Sequence, residues 1–251
     1  MKITFLGTGT GCSTDRGAAA NYLEIGAQKV LVDFGPGGLR QLARAGKDYR
    51  DIDMVCISHI HTDHVLDVAA LLQALYWAPD FTRTKPLTLV GPVGFKKYLQ
   101  QYLMPIAQLP QPEVITFERP IIELKDQLAC DGFSMSCVRT VHDRANASIA
   151  YRFTEGRSSL VVSGDCTYTP ELVTFCYDAD TLLLECSYPD DIANERHLHA
   201  GECGRIARDA RARQLFLTHL HPTASDQQRL QQAQAVFAAT SLAEELQTIV
   251  V

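Results

Sequence analysis

The chain has 251 residues, of which 46% are hydrophobic and 21% charged, and its formal net charge at pH 7 is −6. This balance is typical of a globular protein, and an acidic chain lacks the basic face that broad, non-specific nucleic-acid binding requires. No apolar run approaches the length of a membrane span, and the apolar stretch at the N-terminus is too short for the core of a signal peptide.

The first third of the chain alternates short apolar runs with stretches of helical spacing. The runs predict strands at residues 3–6, 21–25, 29–33 and 54–57, and the last is apolar throughout, as in a strand covered on both faces. Helical spacing occurs at residues 36–45, before Gly46, and at residues 65–77.

Four metal-binding side chains lie directly after the strand predicted at residues 54–57. They are His59, His61, Asp63 and His64, in the run Ser58-His-Ile-His-Thr-Asp-His64. Imidazole and carboxylate suit zinc and its first-row neighbours, and open α/β sheets place their sites at the carboxyl ends of strands. A lone histidine here would more often be a polar residue whose hydrogen bonds are made within the protein. Four metal-binding side chains within six residues instead favour half of a two-metal hydrolytic site.

Asp67 follows Asp63 by about one helical turn and has two interpretations. An acid at the start of a helix is favoured by the helix dipole, whereas a carboxylate beside a metal ligand can hold that ligand by a hydrogen bond. We favour the first interpretation, in which Asp67 belongs to the helix alone.

The rest of the chain continues with strands and helices. A strand at residues 87–90 and a helix reaching residue 103 precede strands predicted at residues 114–117, 121–124, 133–140, 148–153 and 159–162. The last third predicts strands at residues 181–184 and 215–218, and helices at residues 200–213 and from residue 224 into the 230s. We therefore predict an α/β fold, a four-layer αββα sandwich of two mixed sheets packed face to face with helices outside.

The cysteine and linker patterns favour a single domain. The eight cysteines are scattered through apolar segments without a C-x-x-C pair, so most are expected to be buried thiols in a reducing cytoplasm. No Gly/Ser/Pro-rich stretch or block of like charge marks a linker, and we expect one domain over residues 1–251.

A two-metal site needs more ligands than the cluster at residues 59–64 supplies. His142, Asp165 and His219 each follow a predicted strand, as the cluster itself does. This repeated order of apolar strand and then ligand predicts that the three residues complete the site. Asp63 and Asp165 would only half neutralise two divalent ions, so an anionic substrate is favoured.

Seven short motifs occur along nearly the whole chain. They are Phe5-Leu-Gly-Thr-Gly9, Leu31-Val-Asp-Phe-Gly35, Ser58-His-Ile-His-Thr-Asp-His64, Leu89-Val-Gly-Pro92, Val141-His142, Ser163-Gly-Asp165 and Leu217-Thr-His219. In this order they resemble the motifs of the metallo-β-lactamase superfamily, in its ribonuclease Z-like branch. The resemblance implies one metal held by His59, His61 and His142, a second held by Asp63, His64 and His219, and Asp165 bridging them. It also implies a homodimer and two divalent ions per chain, with zinc expected and manganese, iron or cobalt as alternatives.

Two further segments are similar to motifs of that branch. They are Thr181-Leu-Leu-Leu-Glu185 and His197-Leu-His-Ala-Gly-Glu202. The resemblance implies that His197 acts on the scissile phosphate or leaving group and that Glu185 orients His197. In two-metal hydrolysis, Asp63 would also orient the nucleophile. In the alternative interpretation, His197 only caps the helix predicted at residues 200–213.

These residues predict a cytoplasmic, dinuclear metal-dependent phosphodiesterase whose metal-bridging hydroxide attacks a small anionic phosphodiester. The alternative on the same site is a hydrolase of carboxyl esters, lactones, thioesters or sulfate esters, and a non-catalytic metal-binding protein is less favoured. Transfer RNA processing is also disfavoured, because residues 151–160 leave room only for a tight hairpin where ribonuclease Z carries a basic arm. We expect no membrane partner and do not favour nucleic acid. Cys166, beside Asp165, remains a residue of open role.

Overall fold

The apolar runs form two seven-stranded mixed sheets in the computed structural model, which describes residues 1–107, 121–143 and 145–251. The strands are β1 (Lys2–Gly7), β2 (Ala20–Ile25), β3 (Gln28–Phe34), β4 (Met54–Cys56), β5 (Thr88–Gly91), β6 (Ile121–Glu123), β7 (Gln127–Cys130), β8 (Phe133–Thr140), β9 (Ser148–Glu155), β10 (Ser158–Val162), β11 (Thr181–Glu185), β12 (Gln214–Thr218), β13 (Thr240–Leu242) and β14 (Thr248–Val250). The helices are α1 (Gly38–Arg44), α2 (Thr62–Val65), α3 (Asp67–Trp77), α4 (Phe95–Tyr98), α5 (Met104–Ile106), α6 (Pro170–Phe175), α7 (Ala200–Asp209) and α8 (Asp226–Val236), with a 3₁₀ helix at Tyr49–Asp51 and a π-helical stretch at Leu99–Leu103.

Each sheet is antiparallel on one side and parallel on the other. The first has the order β14-β1-β2-β3-β4-β5-β6, with parallel pairing from β3 to β6. The second has the order β13-β12-β11-β10-β9-β8-β7, with parallel pairing from β10 to β13. The predicted hairpin of residues 151–160 is present, because β9 pairs with β10 up to Glu155 and Ser158.

An apolar layer joins the two sheets face to face. The ring centroids of Phe5 in β1 and Phe216 in β12 are 5.4 Å apart, and Cys56 Sγ in β4 lies 3.6 Å from Met135 Sδ in β8. A second apolar cluster packs α1 and α3 on the first sheet, and a third packs α6, α7 and α8 on the second. The predicted αββα sandwich is confirmed.

Two helices have bounds in the structure that differ from those predicted from the sequence. The helix predicted at residues 65–77 is two helices, and α2 begins at Thr62, so that Asp63 lies in its first turn. The helix predicted at residues 200–213 ends at Asp209 because Arg211 has a φ of 56°, a left-handed conformation that terminates a helix.

Strands β7, β13 and β14 and helix α6 have no counterpart among the predicted elements. Strands β7, β13 and β14 have three or four residues each and lie at sheet edges, where few residues carry an alternating pattern. Helix α6 has six residues and is too short to show helical periodicity. The strand predicted at residues 114–117 lies outside the described residues. Among the described residues, no helix combines the length and apolar character needed to cross a bilayer.

Candidate metal centre

The predicted ligands meet at one end of the two sheets, because each follows a strand that ends there. His59 comes after β4, His142 after β8, Asp165 after β10 and His219 after β12. Ligand atoms in each of two groups lie within 4.8 Å of one another; the groups are His59, His61, His142 and Asp165, and Asp63, His64 and His219. These groups correspond to the two metal-ligand sets that the sequence predicts.

In the first group, imidazole nitrogens face one another and one carboxylate oxygen. His142 Nε2 lies 3.2 Å from His61 Nδ1. His59 Nε2 and His142 Nε2 lie 3.9 and 3.6 Å from Asp165 Oδ2. Two nitrogens that each lie about 2.1 Å from a zinc ion at a tetrahedral angle are roughly 3.4 Å apart. The spacing of these donors therefore suits a single divalent ion.

The second group has the same character. His64 Nε2 lies 3.3 Å from His219 Nε2, and Asp63 Oδ2 lies 3.4 Å from His219 Nε2 and 3.9 Å from His64 Nε2. Gly11 in the loop after β1 donates its backbone N–H to Asp63 Oδ2 at 2.9 Å, which fixes the carboxylate. The Nε2 atoms of His64 and His219 and the carboxylate of Asp63 therefore lie close enough together to bind one cation.

Asp165 lies between the two groups and divides its oxygens between them. Oδ2 faces His59 and His142, whereas Oδ1 lies 3.2 Å from His64 Nε2 and 3.4 Å from His219 Nδ1. Each oxygen thus has its own set of neighbouring imidazoles. A carboxylate in this position can contact two ions at once.

Two buried atoms of the centre have no hydrogen-bond partner among the described residues. They are His59 Nε2 and Asp165 Oδ1; the 3.2 Å contact of Asp165 Oδ1 with His64 lacks the angle of a hydrogen bond. Buried polar atoms without partners are costly, and a missing ion is one physical reason for them. Their position inside a His/Asp donor set fits bound divalent metal.

Three of the candidate histidine ligands make a contact through Nδ1, the ring nitrogen that is not assigned to the metal. His64 Nδ1 lies 2.7 Å from Asp33 Oδ2, and His219 Nδ1 lies 3.1 Å from Ser187 Oγ. His142 Nδ1 lies 2.9 Å from the backbone oxygen of Arg196. Such contacts fix the tautomer and aim the remaining nitrogen at the ion.

Asp33 holds two parts of the centre together. Its Oδ1 accepts a hydrogen bond from the backbone N–H of Ser58 at 2.7 Å, and its Oδ2 accepts one from the Ser58 hydroxyl at 2.8 Å. Ser58 Oγ in turn lies 3.0 Å from His59 Nδ1. Asp33 occurs in one of the sequence motifs, but no local pattern predicts its contacts with the centre. The same is true of Ser187 and of Asp143, whose Oδ2 lies 3.6 Å from His61 Nε2.

Burial and nearby carboxylates set the protonation of the histidines in the metal-free centre. Burial lowers the pKa of His59 well below its usual value and also lowers the pKa of His142. Burial acts on His64 in the same direction, but Asp165 and Asp33 outweigh it and raise the pKa of His64 well above its usual value. In the metal-free centre, Asp165 and Asp33 therefore favour the protonated, positively charged form of His64.

The two carboxylates of the centre are held in their ionised form. Burial opposes ionisation of Asp165, but His219 and His64 hold the pKa of that carboxyl well below its usual range. Burial likewise opposes ionisation of Asp63, and the hydrogen bond with His219 lowers its pKa overall. Both carboxylates are thus available as anionic ligands.

Two glycines allow the motif loops to approach closely. A side chain at Gly35 would place its Cβ 1.8 Å from the backbone oxygen of Asp63. Gly164 has a φ of 57°, and a Cβ there would lie 2.5 Å from that of Ser58. A residue without a side chain is therefore required at both positions.

Glu185 and His197 form a pair beside the two groups. His197 Nδ1 lies 2.8 Å from Glu185 Oε1, and Glu185 is buried at the end of β11. His199, not His197, is the N-terminal cap of α7, where it forms a capping box with Glu202. The alternative in which His197 caps this helix is therefore wrong.

The centre opens into a cavity of about 820 Å³. Its walls carry Asp63, Asp165, His197, Tyr188, Arg196 and His221 among others. This volume is in the range of small-molecule sites. Trp77, an aromatic residue of α3, is 65% exposed and does not line it.

The structure also shows the contacts of Asp67, which lies in the first turn of α3 as favoured from the sequence, and of Cys166. Asp67 Oδ2 accepts the backbone N–H of Leu39 at 3.1 Å, at the start of α1, so Asp67 acts on a different helix from its own. Cys166 is buried, and burial raises the pKa of its thiol well above the usual value. Its backbone N–H donates to Glu185 Oε1 at 3.1 Å, so it contacts the pair through the main chain.

The sequence and the fold are similar to those of known proteins. The family description "Beta-lactamase superfamily domain" matches residues 28–220. "Probable metallo-hydrolase YhfI" of Bacillus subtilis is 29% identical over 231 aligned residues, 88% of this chain and 87% of that protein. Ribonuclease Z of Archaeoglobus fulgidus is 25% identical over 308 aligned positions, with 99% of this chain and 97% of that protein covered.

Two solved structures have the same fold. The crystal structure of YhfI, described as a metallo-beta-lactamase fold protein, has a TM-score of 0.84 and 24% identity over 99% of both chains. The short form of human tRNase Z has a TM-score of 0.80 and 22% identity over 100% of this chain and 99% of the other. The strand order and layers described above are therefore those of a known architecture.

Proposed function

The chain belongs to the beta-lactamase superfamily, and from this membership we propose that it is a dinuclear metal-dependent phosphodiesterase. The family and the His/Asp clusters support a hydrolase that binds divalent metal. The proposal adds the number of ions, the bond that is cleaved and the residues that act.

The arrangement of Asp165 carries the proposal of two ions. Its Oδ2 faces His59 and His142, and its Oδ1 faces His64 and His219. We assign His59, His61 and His142 to one ion, Asp63, His64 and His219 to the other, and Asp165 to both. Imidazole and carboxylate donors suit zinc, which we propose as the bound metal.

Charge favours a phosphodiester among the ester substrates. Two divalent ions would bring four positive charges, and Asp63 and Asp165 supply two negative ones, so the centre keeps a positive charge for an anion. When bound, the ions supply Lewis acidity and lower the pKa of coordinated water. The similarity to Ribonuclease Z of Archaeoglobus fulgidus adds support for a phosphoester substrate.

The chain's own residues would orient the reactants and move a proton. Asp63 is fixed by Gly11 and His219, and it would orient the attacking water. His197 lines the cavity with Nδ1 held by Glu185, which leaves Nε2 to donate a proton to the leaving oxygen. The pKa of His197 is lowered by burial, but Glu185 outweighs burial and raises it overall, so that a proton is retained.

A substrate panel tests the proposal. The zinc-loaded protein would be assayed on bis(p-nitrophenyl) phosphate, an aryl sulfate, a lactone and a thioester, before and after chelation. We expect the phosphodiester to be cleaved fastest and its cleavage to be lost on chelation and in Asp165→Ala. Rapid turnover of a lactone, thioester or sulfate with an inert phosphodiester would instead indicate another ester bond, and no turnover with a stable metal complement would indicate a binding protein.

A further inference from the structure

A second cavity, of about 280 Å³, lies outside the metal centre. We name it the aromatic cleft, and define it by Ile60, Val93, Lys97, Tyr98, Tyr102 and Asn146, which line it. None of these residues has a part in the centre described above. The cleft is therefore a site without an assigned ligand.

The aromatic cleft begins next to the metal centre. Ile60 stands between His59 and His61 in the chain. Asn146 Nδ2 donates to Asp143 Oδ2 at 2.6 Å, and the same oxygen lies 3.6 Å from His61 Nε2. One carboxylate thus lies between the cleft and a proposed ligand, so the cleft adjoins the metal centre.

The cleft presents a rigid aromatic surface to solvent. Tyr98 and Tyr102 lie one helical turn apart, with ring centroids at 5.4 Å and planes inclined by 38°. Tyr98 packs against the buried core, whereas Tyr102 and Val93 are 57% and 58% exposed. Exposed aromatic and apolar side chains grouped in a concave site favour a flat apolar ligand, and Tyr is a low-entropy contact surface.

Polar groups at the rim select what kind of ring can bind. Asn146 Nδ2 donates to Asp143, and no described residue donates a hydrogen bond to Asn146 Oδ1, so this oxygen can accept one from a ligand. Gln101 adds a second amide, and Lys97 adds a positive charge beside the rings. This combination suits a heteroaromatic ring with hydrogen-bonding edges that is linked to an anion.

We infer that the aromatic cleft binds a planar heteroaromatic group carried on the non-leaving side of the phosphodiester. Tyr102 stacks on the ring, Asn146 contacts its edge, and Lys97 attracts the attached phosphate. The inference rests on the proposed function for the phosphodiester itself. It adds a substrate class, because esters without such a ring leave the cleft empty.

Two esters with one leaving group test this assignment. Thymidine 5′-monophosphate p-nitrophenyl ester and methyl p-nitrophenyl phosphate both release p-nitrophenolate, so they differ only in the non-leaving group, which is a nucleoside in the first and a methyl group in the second. We expect the zinc-loaded protein to prefer the thymidine ester in kcat/KM. Tyr102→Ala should reduce that preference about tenfold through KM, within the range of one stacked base. Tyr102→Phe keeps the ring and should retain the preference.

Tyr177→Ala is the matched control, because Tyr177 is also an exposed tyrosine but lines neither cavity. An unchanged preference in Tyr102→Ala, an equal loss on both esters, or a change of oligomeric state without a change of preference would overturn the inference. Calorimetric binding of thymidine 5′-monophosphate and methyl phosphate separates it from the proposed function. If neither ester is cleaved but Tyr102→Ala still weakens only thymidine monophosphate binding, the phosphodiesterase proposal fails and the cleft assignment stands.

Discussion

Glu185 holds His197 through a 2.8 Å contact between Oε1 and Nδ1, and the main chain fixes Glu185 in turn. The backbone N–H groups of Cys166 and Ser187 each donate to a different oxygen of the carboxylate at 3.1 Å. A buried carboxylate supported on both oxygens has little freedom to move. The pair is therefore preorganised for the proton donation that we propose, and the first two predictions test this role.

His197→Ala should slow cleavage most when the leaving group needs a proton. A general acid contributes about 10²- to 10⁴-fold, and p-nitrophenolate needs less of this help than phenolate because it is a weaker base. We expect a large loss of kcat for methyl phenyl phosphate and a loss of under about tenfold for methyl p-nitrophenyl phosphate. Steady-state rates with chromatographic detection of the phenol measure both.

His199→Ala is the control for this prediction, since His199 caps α7 and does not line the cavity. It should lower stability without changing the ratio of the two rates. Equal losses on both substrates in His197→Ala would mean that His197 binds the phosphate and does not protonate the leaving group.

Glu185→Gln should move the alkaline limb of the pH–rate profile to lower pH. In the proposed mechanism the active form has His197 protonated, so activity should fall as the pH rises through the pKa of His197. Burial lowers this pKa and Glu185 raises it by a larger amount, so removing the negative charge lets it fall. The profile of kcat against pH checks the shift. Glu202→Gln, which changes a glutamate bound to His199, should leave the limb in place.

The sequence predicts the candidate ligands better than the residues that orient them. His142, Asp165 and His219 each follow a strand that the sequence predicts, so a local pattern marks them. Asp33 meets Ser58 and His64 only because β3 lies beside β4, a pairing between distant parts of the chain. The edge strands β13 and β14 depend on the same kind of distant pairing, with β12 and β1, which no local pattern records.

Asp33→Asn should weaken metal binding while leaving all proposed ligands in place. Asp33 accepts three hydrogen bonds from Ser58 and His64, and an amide nitrogen would oppose at least one of these donors. Loss of such an orienting partner lowers metal affinity about 10- to 100-fold. Competition with a zinc-chelating dye measures the affinity. Asp53→Asn is the control, because the Asp53 carboxylate contacts Lys29 and Lys85 away from the centre. This variant should bind zinc as tightly as the unaltered protein.

Removing the metal should lower Tm, and by more at higher pH. In the metal-free protein the folded-state pKa of His64 is raised, so its protonation stabilises the fold below the unfolded pKa of about 6.5. This contribution is lost as the pH rises through the folded pKa. Bound metal becomes more stabilising over the same range, because protons no longer compete with the metal for its ligands. Scanning calorimetry with and without chelator at two pH values measures the gap. A gap that narrows as the pH rises would show that protonated His64 does not replace the ion.

Asp67→Ala and Asp63→Ala should separate stability from metal binding at positions one helical turn apart. Asp67 Oδ2 accepts the backbone N–H of Leu39 in the first turn of α1. Loss of a helix-capping acceptor costs about 1 kcal/mol of unfolding free energy, so Asp67→Ala should unfold at lower denaturant concentration with unchanged zinc content and turnover. Asp63→Ala removes a proposed ligand and should lose zinc and turnover together. Reduced zinc content in Asp67→Ala would mean that the start of α1 also positions the metal centre, in contradiction to the contacts of its carboxylate.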